Sequence, residues 1–434
     1  MTAAAATAAR LRRRPTARPS EAAAGGSILT LATIASGVLT YAFLILAARS
    51  LGTEGYGAIG VLWAAMFVTA IVAFRPLEQT TSQAIARRLA VGADARGVVK
   101  TMFGAAVVVS IAVVIVLALA WHSLSHRLFG SDTALMVALV AGVLAYGASY
   151  LVRGILGGSR WFGGYAIVLL ADGGVRLAVA VPLVFVASRG IAAAAIVAAG
   201  AAGALTPLLL GRHRLPTALR GNGNRAEAPF PLRSAASFAA PATVIAAADQ
   251  MLVNGAPLLV ALGGAPRATV GVVFAATMLV RAPVYVFQGF AASLLPNLTH
   301  LARTHGRRRL RHAIARTAGS LFLIGVALSA GAGAVGPTLM RTVYGSTYEA
   351  SAAALVLLAA SVACYLAAGT FSQALLALNS VVLAAGCWSV AVIAFVGSYV
   401  VLPGSPLLRS SAALAIASLT AALALGTTLV RRTA

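Results

Sequence analysis

Acidic residues are scarce in this chain: nine Asp and Glu stand against thirty-three Lys and Arg in 434 residues, and charged residues of both signs make up only 10%. Cysteine is nearly absent. Cys364 and Cys387 fall inside apolar runs, where they pack as small apolar residues and say nothing about redox compartment. The six histidines (His122, His126, His213, His300, His305 and His312) lie in predicted loops without an HExxH pattern. His122 and His126 are four apart but have no carboxylate or thiolate ligand beside them, so no metal site is expected. "GAGAVG" at 331–336 fits GxGxxG, yet it sits inside an apolar span with no preceding strand, which favours close helix packing over dinucleotide binding. "NLT" at 297–299 is a glycosylation sequon only by pattern, since the topology below puts it inside the cell. Nothing in this inventory calls for a cofactor, and no enzyme is expected.

What the chain does have is hydrophobic length. Sixty per cent of it is apolar, mean hydropathy is +0.93, and the apolar residues arrive in long runs rather than amphipathic stripes. The fold class is therefore an all-α polytopic membrane protein. At about 20 apolar residues per span, twelve helices are predicted at 27–48, 57–76, 101–121, 133–152, 165–187, 191–211, 236–262, 268–290, 318–340, 351–377, 380–402 and 407–430. The run "RLRRRPTARPS" before the first is not read as part of a signal peptide, because 27–48 is too long and continuous for the apolar core of one.

A formal charge of +24 would suggest nucleic acid in a soluble protein, so its distribution has to decide. With a cytoplasmic N-terminus, twenty-five of the thirty-three basic residues fall on the inner side. Six fall on the outer side (Arg49, Arg127, Arg189, Arg267, Arg341 and Arg409) and two, Arg176 and Arg281, within spans. This positive-inside bias puts both termini in the cytoplasm, in a cell membrane, with attraction to anionic lipids as a by-product and no nucleic-acid partner.

The chain reads as two halves. "LGTEGYGAIGVLWAAMFV" from Leu51 lies over "LGGAPRATVGVVFAATMLV" from Leu262, an offset of 211 residues, and "ILGGSR" from Ile155 echoes "LLALNS" from Leu375. Repeats separated by half the chain mark transporters built from two like bundles. The expected organisation is a basic tail (1–26), a six-helix bundle (27–211), a cytoplasmic Gly/Pro/Arg-rich linker (212–235), a second six-helix bundle (236–430) and a short tail (431–434). No outer loop exceeds about a dozen residues. That leaves little room outside for a catalytic domain of the kind a glycosyltransferase or polymerase needs, and favours a carrier.

Polar chemistry at membrane depth supplies the candidate site, because ionisable groups there must face a bundle interior or a wet cavity. Asp249 lies mid-span with Gln250 and Asn254 close by, and the next span carries Arg281 and, two turns on, Gln288. Asp172 and Arg176, four apart in "LLADGGVRLA", share a helical face and can pair, as a functional element or as a fastening. Arg75, Glu78 and Arg153 are placed at the cytoplasmic ends of their spans, and Thr33, Ser36, Gly37 and Thr40 form a narrow stripe on the first. Pro283, just after Arg281, is expected to kink its helix.

"ILAARSLGTEGYGAIG", "RPLEQTTSQAIARR", "RGILGGSRWFGGYA" and "RAPVYVFQGFAASLLPNL" resemble the polysaccharide-export branch, the Wzx-type O-antigen flippases, of the multidrug/oligosaccharidyl-lipid/polysaccharide superfamily. The resemblance implies two six-helix bundles in a V around a cavity open alternately to each side. It implies a cargo of polyprenyl-pyrophosphate-linked oligosaccharide carried to the outer leaflet, with polysaccharide-assembly proteins as partners and a proton or sodium ion for coupling. On that reading Arg281, helped by Arg75, Arg153 and Arg176, would hold the pyrophosphate, while Gln250, Asn254 and Gln288 would meet sugars and Asp249 would balance Arg281 or carry the coupling ion. The alternative is a cation-coupled multidrug antiporter of the same fold, which would rely on Asp249 and Asp172.

Overall fold

The computed structural model describes residues 19–220, 232–281, 306–378 and 380–433, and among them every regular element is helical. The helices are α1 (Pro19–Ala90), α2 (Arg96–Leu119), α3 (Trp121–Phe129), α4 (Thr133–Gly158), α5 (Phe162–Ala180, continued by a 3-10 turn at Val181–Val184), α6 (Arg189–Leu210), α7 (Arg214–Ala218) and α8 (Leu232–Leu262). They continue with α9 (described over 267–281), α10 (Gly306–Tyr344), α11 (Ala352–Ala377), α12 (Val381–Val401) and α13 (Pro406–Thr433).

α1 is two spans joined at a corner. Gly52 has φ 65° and ψ −178°, a left-handed conformation that a Cβ would strain, so the "LG" of the repeat is where the chain reverses through the membrane. Among the described residues, ten helices are long and apolar enough to span a membrane. Dividing the first at Gly52 gives eleven, and a further helix, described over 267–281, begins where the predicted span 268–290 starts. The two-bundle pattern is visible in burial: α2 and α10, each the third span of its half, are the most lipid-facing, with 17% and 11% of their membrane windows buried. A continuous apolar core joins the halves, running from Phe43, Tyr56 and Trp63 on α1 to Val270 and Phe274 on α9 and Phe395 on α12.

The helices run on past several of the predicted spans. Arg75 and Glu78 do not end their helix, which runs fifteen residues past Arg75 to Ala90, and Arg153 lies five residues inside α4. Hydropathy reports where lipid ends, whereas the helix persists into water. Pro76 is carried within it, withdrawing one backbone donor without breaking it. The tenth helix likewise begins at Gly306, well before the apolar run at 318. Within the expected linker, the segment after α7 is tied to the first half by the bond from Ala95 N to Leu219 O, 3.0 Å, and 221–231 lies outside the described residues.

Candidate functional site

The polar residues expected from the sequence fall into three neighbouring groups. In the first half, Asp172 and Arg176 pair on one face of α5, with Arg176 Nη2 2.6 Å from Asp172 Oδ2. The same nitrogen donates to Tyr146 Oη at 2.6 Å, Tyr146 donates in turn to Asp172 Oδ1 at 2.6 Å, and Arg176 Nη1 donates to Thr40 Oγ1 at 2.8 Å. The guanidinium also lies over the Trp63 ring, 5.1 Å from its centroid. Both charged residues are buried, and the network ties together the first, second, fourth and fifth spans of one bundle. Thr40 of the expected stripe belongs to it. Thr33 instead satisfies the Leu29 carbonyl of its own helix.

In the second half, Asp249 on α8 accepts hydrogen bonds from Tyr365 Oη and from Gln250 Nε2, the latter at 2.9 Å. Asn254 Nδ2 donates to Gln250 Oε1 at 2.9 Å, so one turn of α8 carries an Asn–Gln–Asp relay of bonds. Arg281 points its Nη2 at Leu252 O, 2.6 Å away. Pro257, inside α8, takes away the donor that Val253 O would otherwise receive, so Arg281 serves a carbonyl beside a disturbed stretch of the ladder. Arg281 is 9% exposed and lines, with Tyr365, Ser361 and Ser418, a cavity of about 20 Å³, room for a water or one small ion.

In the third group, Arg75, Glu78 and Arg153 are each half-buried. Glu78 accepts from Tyr165 Oη at 2.8 Å rather than from an arginine. Arg153 stacks on Tyr150, 5.1 Å from the ring centroid, and its Nε is buried without a hydrogen-bond partner among the described residues. Arg75 interacts electrostatically with Glu78 and Tyr150 of its own half and with Asp249 and Tyr365 of the other, so it stands at the seam between the bundles. Among the described residues, ion pairs form only at Asp94–Arg96 and Asp172–Arg176, leaving Arg75 and Arg153 without a carboxylate in contact.

Sequence reasoning overlooked the tyrosines. Tyr146, Tyr165 and Tyr365 each hold one of the carboxylates Asp172, Glu78 and Asp249, and the available signal was a phenol inside an apolar span, mid-span for Tyr146 and Tyr365, where a hydroxyl needs a partner. His122 and His126 are both exposed on α3, and no cluster of three metal-ligating side chains occurs among the described residues. Gln288 and Pro283 lie outside the described residues.

No protein-family model matches the chain. It is 30% identical over 350 residues, 78% of its own length and 77% of theirs, to the uncharacterized proteins Rv3630 of Mycobacterium tuberculosis and Mb3654 of Mycobacterium bovis, and it belongs to one family with them. Among solved structures it is similar to an inward-facing multidrug resistance MATE family transporter of the MOP superfamily, with a TM-score of 0.68 at 17% identity, covering 92% of this chain and 94% of that one. It is also similar to the eukaryotic MATE transporter AtDTX14, with a TM-score of 0.67 at 12% identity, covering 95% and 97%. An outward-facing MATE family transporter gives a TM-score of 0.59 at 15% identity over 94% and 95%. The chain has the MATE fold.

Proposed function

We propose that this MATE-fold membrane protein is an alternating-access transporter that carries a polyprenyl-pyrophosphate-linked oligosaccharide across the cytoplasmic membrane for cell-surface polysaccharide assembly. The observation that carries this reading is the pair of arginines, Arg75 and Arg153, both half-buried with no carboxylate in contact among the described residues. A guanidinium with no carboxylate in direct contact, in a low-dielectric cleft, suits a pyrophosphate, with fixed charge and forked donors. Arg75 and Arg153 would make first contact. Arg281, nine-tenths buried over a space too small for a pyrophosphate, would add positive potential from the wall and engage directly only as the bundle opens. Gln250 and Asn254, both buried, would meet sugars in the same rearrangement, and Asp249 would balance Arg75 while the cleft is empty.

The second reading, a cation-coupled multidrug antiporter, draws on the MATE transporters in the structural comparison and on the half-buried Asp249 and Glu78. Leaflet translocation of a fluorescent polyprenyl-pyrophosphate oligosaccharide in proteoliposomes separates the two. Translocation by the wild type that falls about tenfold or more in Arg75→Gln and Arg153→Gln, the scale of a lost bond to a charged group, supports the flippase. No wild-type translocation under imposed proton or sodium gradients, together with cationic-dye transport lost in Asp249→Asn, establishes the antiporter.

A further inference from the structure

Six basic residues stand on the outer side against the charge bias, and the structure gives two of them a shared task. Arg49, at the outer end of the first span, donates from Nε to Val343 O at 2.8 Å and from Nη2 to Thr342 O. Those carbonyls belong to the last turn of α10, in the opposite half, where the helix has no donors of its own and its dipole is negative. Arg267, the first residue of α9, returns the arrangement: its Nη2 donates to Phe129 O, the last residue of α3 in the first half. Each half thus lends one arginine to a helix C-terminus of the other.

Between the two caps the helices touch through backbone. A Cβ on Gly57 would fall on the Arg267 carbonyl oxygen and within 2.9 Å of Gly271 N, and a Cβ on Gly271 would fall on the Thr53 carbonyl oxygen. Around this crossing Tyr56 packs on Phe274, Tyr344 and Tyr348, with ring centroids 5.1, 6.2 and 6.0 Å apart, and Tyr348 Oη donates to Ala48 O at 2.9 Å. The aromatic and glycine contacts are short-range packing that any closed seam requires. The arginine caps, like the bond from Tyr348 to Ala48, are directional, with donor and acceptor that part when the outer ends separate, and the caps add a positive charge at a helix C-terminus.

We propose that Arg49 and Arg267 form a reciprocal latch that holds the outer end closed and must release before the cleft opens outward. The inference takes from the preceding section only that the halves separate, and its readout contains no cargo, so it can fail while the transport reading stands, or the reverse.

The test is a pulsed electron-paramagnetic-resonance distance measurement in liposomes between spin labels at His122→Cys, on α3, and Thr347→Cys, after α10, both exposed, in a Cys364→Ser, Cys387→Ser background. Arg49→Ala with Arg267→Ala should raise the ratio of long to short distances about tenfold or more, as expected for the loss of hydrogen bonds to a charged donor. Arg49→Lys with Arg267→Lys should fall between, because an ammonium keeps the charge but lacks the fork. A distance distribution in the alanine pair that superimposes on the parent overturns the latch. If the alanine pair does not fold, the lysine pair decides by the same criterion.

Discussion

Each half of the molecule carries a tyrosine, an aspartate and an arginine at membrane depth, and the two trios are wired differently. In the first, Tyr146, Asp172 and Arg176 bond to one another in a closed ring, with Thr40 and the Trp63 face taking further valences of the guanidinium. In the second, Tyr365 binds Asp249, but Arg281 turns away to the carbonyl of Leu252. A closed ring of opposite charges presents little field to its surroundings and holds four spans at fixed spacing. An open trio keeps its charges separate beside a seam that also contains Arg75. The same residue types thus form a closed ring in one bundle and a separated aspartate and arginine in the other, depending on whether the arginine lies one turn from the aspartate or on the next helix.

Breaking the closed ring should have the larger effect on stability. Asp172→Asn leaves a buried guanidinium without its counter-charge, a change that typically costs about 3–5 kcal/mol. Removing both charges, as in Asp172→Asn with Arg176→Met, should recover part of that loss, because no isolated charge then remains in the bundle. Thermal unfolding in detergent, followed by loss of helical signal or of monodisperse elution, measures both. If Asp172→Asn unfolds no earlier than Asp249→Asn, the closed ring fastens its bundle no more than the open trio does.

The sequence makes one of these trios more legible than the other for a physical reason. Residues four apart on a helix share a face by covalent geometry alone, so the spacing of Asp172 and Arg176 is enough to pair them. Asp249 and Arg281 stand out as intramembrane charges, yet whether they pair depends on the rotation and kink of two helices, which hydropathy does not encode. The twelve spans are readable because lipid demands about 20 apolar residues of each, and the repeat at Leu51 and Leu262 marks two corners, with left-handed glycines at Gly52 and Gly264. Helix ends are not readable where the helix leaves the membrane and continues, as after Arg75 and before Ala318. The tyrosine hydroxyls escape notice because an apolar ring dominates their contribution to any span.

Changes in the open trio should cost less. Tyr365→Phe removes one bond to Asp249 and leaves that from Gln250, so its effect on stability should be about 1 kcal/mol, well below that of Asp172→Asn. Asp249→Asn should be similarly mild. Under the proposed function it should also tighten binding of an anionic cargo several-fold, since it removes the negative charge that interacts with Arg75 across the seam. Titration of the detergent-solubilised protein with a fluorescent polyprenyl pyrophosphate measures this, and weaker binding in Asp249→Asn would mean that the carboxylate contacts the cargo rather than shielding the arginine.

The smallest effect belongs to the other ion pair, Asp94–Arg96, in the connection between α1 and α2, where the two side chains are 28% and 58% exposed. The Arg96 side chain, donating to both carboxylate oxygens, and then the Arg96 backbone N–H hold the Asp94 carboxyl below the usual carboxylate range. For a carboxylate whose pKa is lower in the folded state, the stabilisation is complete above the ordinary value of about 4 and is lost as the pH falls through the folded one. Asp94→Asn should therefore lower the thermal midpoint slightly at neutral pH, by less than Asp172→Asn does, and the difference should shrink both in acid below pH of about 4 and in high salt, which screens a solvated pair. A difference that persists in acid would mean that the carboxylate's charge is not what stabilises the turn, leaving its role as a hydrogen-bond acceptor at the start of α2, which an amide can fill only in part.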